Sequence, residues 1–133
     1  MSGVFADTSA FLSTLNASDR YHRAAQAAFE LLRHRRSPLI TTSYVLVETY
    51  ALVGRRMGLE AVEAFRATFE PILEIVWVDA ALHEAGLDLL LSPGQPRISL
   101  VDAVSFAAMR RLGLTQFFGF DSDFEREGFT SLG

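Results

Sequence analysis

Cysteine is absent from these 133 residues, which excludes a disulfide framework, a thiol nucleophile and a thiolate zinc site. Histidine is scarce, and His22, His34 and His83 do not share metal-ligand spacing, so any metal must be held by oxygen. No run reaches the ~18 consecutive apolar residues of a membrane span. The N-terminal Met-Ser-Gly-Val-Phe-Ala-Asp also lacks the basic flank and apolar stretch of a secretion signal. A soluble, cytoplasmic protein without a membrane partner is expected. Lysine is missing too: all 12 basic residues are arginine, against 16 acids, for a net charge of −4. An overall positive coat is thereby excluded, and contact with nucleic acid would need a local patch. Arg33, Arg35, Arg36, Arg55, Arg56, Arg110 and Arg111 come in tight groups; they suit either solvated helix ends or bidentate grips on phosphate.

What is present is an alternation. Short apolar runs at 3–6, 38–41, 72–78 and 116–120 are separated by segments of helical period at 8–15, 19–35, 43–57, 59–70, 80–91 and 99–112. Gly58 and Gly113 fit helix stops, and a weak last strand fits 129–131. Strands alternating with helices predict one α/β domain over residues 1–133, and right-handed crossovers make it a three-layer α/β/α domain around a parallel sheet.

Ligands of such a sheet bind beyond the carboxyl ends of its strands, so the acids there come first. Asp7 follows the first strand and Asp121 follows the run 116–120; each would also serve as an ordinary helix N-cap. Glu48 has Tyr44, Val45, Ala51 and Leu52 three and four positions away, an apolar helix face with no nearby cation before Arg55. Asp102 interrupts the apolar Leu100–Ala108 stretch, though Ser99-x-x-Asp102 also reads as a capping box. Carboxylates converging on one edge repel unless a divalent cation lies among them, and hard oxygen donors select Mg²⁺ or Mn²⁺.

Four segments carry a resemblance: Val4-Phe5-Ala6-Asp7-Thr8-Ser9-Ala10, Thr42-Ser43-Tyr44-Val45-Leu46-Val47-Glu48, Ser99-Leu100-Val101-Asp102-Ala103 and Phe120-Asp121-Ser122-Asp123-Phe124. In order and spacing they resemble the PIN domain, and by size and pattern the VapC-type toxins of prokaryotic toxin–antitoxin pairs. The resemblance implies a sheet of order 3-2-1-4-5 and a Mg²⁺- or Mn²⁺-dependent endoribonuclease. Asp7, Glu48, Asp102 and Asp121 match the family's catalytic and metal-binding acids. Asp123 is a further metal candidate, and Thr8 or Ser9 matches the hydroxyl residue that orients the first acid. Hydrolysis would be in-line attack of a metal-activated water on an RNA phosphodiester, with single-stranded or loop RNA as substrate.

The resemblance also implies an antitoxin partner, a groove for its amphipathic helix and a homodimer. Tyr44, Leu46, Tyr50, Leu52, Val53, Ala61, Val62 and Phe65 supply the apolar surface expected to serve these contacts. Arg55, Arg56, Arg97, Arg110 and Arg111 are expected to form a positive rim around the acids. Two other readings compete: a PIN-like domain that binds RNA or protein without cleaving, and a phosphatase of the haloacid dehalogenase type. The phosphatase would need a second aspartate where Ser9 stands, and a lysine that this chain lacks.

Overall fold

The computed structural model describes residues 3–132. The chain runs β1 (Val4–Ala6), α1 (Thr8–Leu15), α2 (His22–Arg35), β2 (Leu39–Thr42), α3 (Ser43–Met57), α4 (Leu59–Thr68) and a 3₁₀ turn (Glu70–Ile72). It continues through β3 (Leu73–Val76), α5 (Ala80–Leu90), α6 (Leu100–Leu112), β4 (Gln116–Phe118), α7 (Ser122–Arg126) and β5 (Thr130–Ser131). All pairings are parallel, in the order β3-β2-β1-β4-β5. The expected α/β/α frame and strand order are therefore found.

This order has a consequence for the site. The chain moves outward from β1 through β2 to β3, then returns to place β4 on the other flank of β1. The carboxyl ends of β1 and β4 thus border the crevice where connections leave in opposite directions, the place where open α/β sheets bind ligands. The Asp7 amide donates to the Phe118 carbonyl at 3.0 Å and carries the β1–β4 pairing to the rim of that crevice.

β1 and β2 are buried along their whole length, as central parallel strands must be. Phenylalanine fills the space around them. Phe11 packs edge-on against Phe65 and Phe69, at 5.0 and 5.3 Å between ring centres. Phe124 gathers Phe106 and Phe117 at 4.8 and 4.9 Å. A smaller cluster of Leu82, Val104 and Ala108 joins α5 to α6. There a Cβ on Gly86 would lie 2.4 Å from a Val104 methyl, so only glycine permits this helix separation.

Several boundaries differ from those expected of the sequence, each for a local reason. The helix expected from residue 19 starts at His22, because the Asp19 carboxylate accepts the Tyr21 amide at 2.8 Å and the Ser13 hydroxyl at 3.1 Å and holds a turn instead. The helix expected to reach residue 70 stops at Thr68, just ahead of Pro71. The last central strand ends at Phe118, so Asp121 stands three residues beyond it rather than at its tip.

Of the apolar residues of α3 and α4 expected at an interface, Tyr44, Tyr50, Leu52, Ala61 and Val62 are half-buried, while Val53 and Phe65 are fully buried and Leu46 nearly so. These last three are core and unavailable to an interface. The large apolar side chains left exposed between Val47 and Trp77 are Val47, Leu59, Ile72 and Trp77.

Candidate active site

Asp7 caps α1 directly after β1, its carboxylate accepting the Ser9 amide at 3.3 Å and the Ser9 hydroxyl at 2.7 Å. The same hydroxyl accepts the Phe120 amide at 2.8 Å. Ser9, rather than Thr8, is therefore the hydroxyl residue that orients the first acid, and it also ties β1's end to the segment beyond β4. Thr8 is turned to α3, where its hydroxyl accepts that of Thr49 at 3.2 Å.

Glu48 is delivered by α3, which springs from β2 with no intervening loop: the Thr42 hydroxyl caps it by accepting the Val45 amide at 3.2 Å. The Ser99 hydroxyl caps α6 by accepting the Asp102 amide at 3.0 Å. Only the backbone of Asp102 serves this cap, which leaves the carboxylate free to face Asp121. Asp121 in turn caps α7, accepting the Asp123 amide at 2.9 Å.

Asp7, Glu48, Asp102 and Asp121 line one open cleft of about 280 Å³, together with Ser9, Leu12, Leu52 and Ser99. Two of these acids, Asp102 and Asp121, also meet Asp123, the three placing carboxylate oxygens within 4.8 Å of one another. Asp7 and Glu48 lie outside this tightest group. Asp123 also makes an ion pair with Arg126 at 2.7 Å, the one ion pair among the described residues that touches the five acids.

The electrostatics follow from crowding. Burial raises the Asp7 carboxyl to about 6 despite the Ser9 bonds, and the charge of Asp121 adds to the rise. Burial likewise pushes Asp102 up to about 8, reinforced by the charges of Asp7, Asp121 and Glu48. Asp102 thus keeps its proton near neutrality unless a cation replaces it, whereas Asp7 loses its own as pH rises through about 6. An all-oxygen, largely carboxylate donor set suits a hard divalent ion and no soft one.

Residues 4–129 match the PIN domain family. The chain is a PIN-domain protein. Over 130 residues, 97% of each chain, it is 33% identical to the 23S rRNA-specific endonuclease VapC20 of Mycobacterium tuberculosis. The crystal structure of that protein, described as a Sarcin-Ricin loop cleaving toxin, superposes with a TM-score of 0.84 over 96% of this chain and 97% of the other, at 33% identity. VapBC2 from Rickettsia felis, solved bound to a DNA fragment from its promoter, shares the fold at a TM-score of 0.71 and 17% identity, covering 96% of both chains. PIN membership sets the phosphatase reading aside.

Around the PIN-domain cleft the arginines divide. Glu48, Leu52 and Arg55 recur at i, i+4 and i+7 on one face of α3, and the first two line the cleft, so Arg55 and its neighbour Arg56 lie one turn beyond. Arg97 is exposed two residues before Ser99. Arg110 and Arg111 instead end α6, about 12 Å along the axis from Asp102. Arg110 is engaged there by Glu127 at 2.6 Å. These two do not belong to a rim around the acids.

Gly119 is a site residue that the sequence-based reading misses. A Cβ there would sit 3.0 Å from Asp7 Cβ and 3.1 Å from Ser9 Oγ, so the bare backbone lets the β4 exit press against Asp7. The signal was available: a lone glycine between a strand and an acid marks a close approach.

Proposed function

We propose that this protein is a metal-dependent endoribonuclease, one catalytic domain over residues 1–133, acting as the toxin of a toxin–antitoxin pair. The observation that carries the reading is the convergence of Asp7, Glu48, Asp102 and Asp121 on one cleft at the β1–β4 crevice, with Asp7 and Asp102 both shifted upward by burial and mutual repulsion. The similarity to VapC20, whose activity is on 23S rRNA, supports RNA as substrate and a recessed cleft supports loop or single-stranded RNA.

Asp7, Asp102 and Asp121 would hold Mg²⁺ or Mn²⁺, with Glu48 and Asp123 completing or orienting the set. Such an ion supplies a water of lowered pKa and stabilises charge on phosphoryl oxygens. Ser9 fixes the angle of Asp7, while Leu12 and Leu52 wall the cleft and limit its water. Purified protein should cut total RNA in Mg²⁺ or Mn²⁺, stop on chelation with EDTA and resume when the ion is restored. Cleavage unaffected by EDTA would refute the reading, as would RNA binding without cleavage in either ion.

Substrate grip falls to the arginines on the cleft side. Arg55→Ala with Arg56→Ala should weaken RNA binding and flatten its log–log salt dependence by about one unit for each phosphate no longer gripped. Metal affinity should not move, and Arg111→Ala should behave as wild type. Equal effects from all these positions would show a diffuse rather than a rim-based attraction.

A toxin of this kind requires an inhibitor, and an antitoxin segment is the partner we assign. A cavity of about 270 Å³ lined by Phe29, Leu32, Leu39 and Ile72, with Arg33 and Arg36 at its side, suits an acidic amphipathic segment. Homodimer formation is assigned to Val47 and Trp77, exposed at 68% and 69%. The Ser43 hydroxyl accepts the Val78 amide at 2.9 Å and so holds Trp77 beside the first turns of α3, where Val47 stands one turn past Ser43. Sedimentation should show a dimer at micromolar concentration and a monomer for Trp77→Asp; a wild-type monomer would remove the assignment.

A further inference from the structure

Asp123 differs from the other acids of the site in having a cation of its own. Its carboxylate is paired with the Arg126 guanidinium at 2.7 Å, whereas no ion pair reaches Asp7, Glu48, Asp102 or Asp121 among the described residues. To bind a metal, Asp123 would have to give up that pair; the other acids would give up none. Yet Asp123 stands at the site, with a carboxylate oxygen within 4.8 Å of those of Asp102 and Asp121. The pair therefore sets a positive group one carboxylate away from acids that lack a counter-charge.

Exposed pairs three residues apart on a helix contribute little to stability. This pair is placed differently from the solvated Arg33–Glu30 pair of α2, both of whose side chains are largely exposed. The Asp123 side chain is only 24% exposed. Its helix is also fixed, because Phe124 is fully buried against Phe106 and Phe117. Glu127, which follows Arg126, is engaged by Gln95 at 2.9 Å and by Arg110 at 2.6 Å, so its charge is taken up elsewhere. Arg126 itself makes no second ion pair and is half-exposed. A guanidinium carries five N–H donors in a planar fork that matches two phosphate oxygens, and here that fork is open to solvent.

Resting on the nuclease reading, we propose that Arg126 grips the RNA phosphate that enters the acidic cleft, and that Asp123 is the positioning residue that holds Arg126 there rather than a ligand of the divalent ion. A cleft lined with carboxylates repels the phosphate it has to receive. Arg126 is the cation paired within that cluster, and it offsets the repulsion at the point of entry. The ion is left to Asp7, Asp102 and Asp121, whose charges no guanidinium meets.

Two binding measurements on the full chain test this: anisotropy of a fluorescein-labelled single-stranded RNA in EDTA, and Mn²⁺ titration followed by electron paramagnetic resonance without RNA. Arg126→Ala should weaken RNA binding about tenfold and flatten its log–log salt dependence by about one unit, with Mn²⁺ affinity unchanged or tighter. Arg126→Lys should recover part of the loss. Asp123→Ala should also weaken RNA binding, although it removes a negative charge, because the guanidinium loses its hold. Asp123→Asn, which keeps an oxygen to face Arg126, should restore most of that loss and keep Mn²⁺ affinity, in contrast to Asp102→Asn. If Asp123→Asn lost Mn²⁺ as Asp102→Asn does, Asp123 would be a ligand and the assignment would be overturned. Tighter RNA binding by Asp123→Ala would overturn it too, as would RNA binding by Arg126→Ala no weaker than that of Arg111→Ala. Neither measurement depends on cleavage, so failure of wild type to cut RNA in Mg²⁺ or Mn²⁺ would count against the nuclease reading alone.

Discussion

Asp102→Asn is expected to reduce RNA cleavage on the order of a thousandfold or more, about 4 kcal/mol of transition-state stabilisation, while the protein stays folded. Both halves follow from the site. The cap of α6 runs from the Asp102 amide to Ser99, so it survives a change of side chain. In the metal-free protein the carboxyl is pushed up to about 8 and carries a proton near neutrality, so a neutral amide of the same shape replaces a neutral acid. What the amide cannot do is give a hard cation an anionic oxygen. Thermal melts should therefore show an unchanged or raised midpoint without metal and little further rise on adding Mn²⁺. A variant that melts early yet cleaves normally per folded molecule would mean that Asp102 only stabilises its helix.

The second large effect is a stability that falls as pH rises when no divalent ion is present. Asp7 is held at about 6 in the fold against an ordinary 3.8, so between those values the folded protein keeps a proton that the unfolded chain has released. Raising the pH through this window removes stability, and the loss is complete above the folded value. The shift of about two units corresponds to roughly 3 kcal/mol. Asp102 acts in the same direction and extends the window toward pH 8, with solvent screening reducing its share.

Melting in EDTA should accordingly drop by several degrees between pH 4 and pH 8.5. Asp7→Asn should remove much of the drop, since an amide still accepts from Ser9 but does not ionise. Millimolar Mg²⁺ or Mn²⁺ should restore wild type at pH 8.5, because binding to the folded state alone stabilises it by mass action. A metal-free midpoint flat across this range, or one that Asp7→Asn leaves as steep as wild type, would show that these acids are not strained by one another.

Alternation of apolar runs and helical periods was enough to determine the α/β class, because each period states which faces must be buried. Glu48 and Asp102 were legible as candidates for a related reason: a carboxylate set in an apolar stretch has to be accounted for by something outside that stretch. The PIN resemblance then ordered the strands and ranked the acids.

Other features were decided only when separate segments met in space. That Ser9 and not Thr8 orients Asp7 depends on Phe120, more than a hundred residues away, donating to its hydroxyl. Phe65 is core because Phe11 and Tyr50 arrive to cover its ring, a fact that the period of α3 and α4 does not contain. Arg110 and Arg111 fall outside the rim because α6 runs away from the acids and Glu127 receives Arg110 at its far end. Local sequence carries propensity and periodicity, which are short-range; pairing between distant groups, and the removal of water that sets their charge, exist only once the sheet has brought them together.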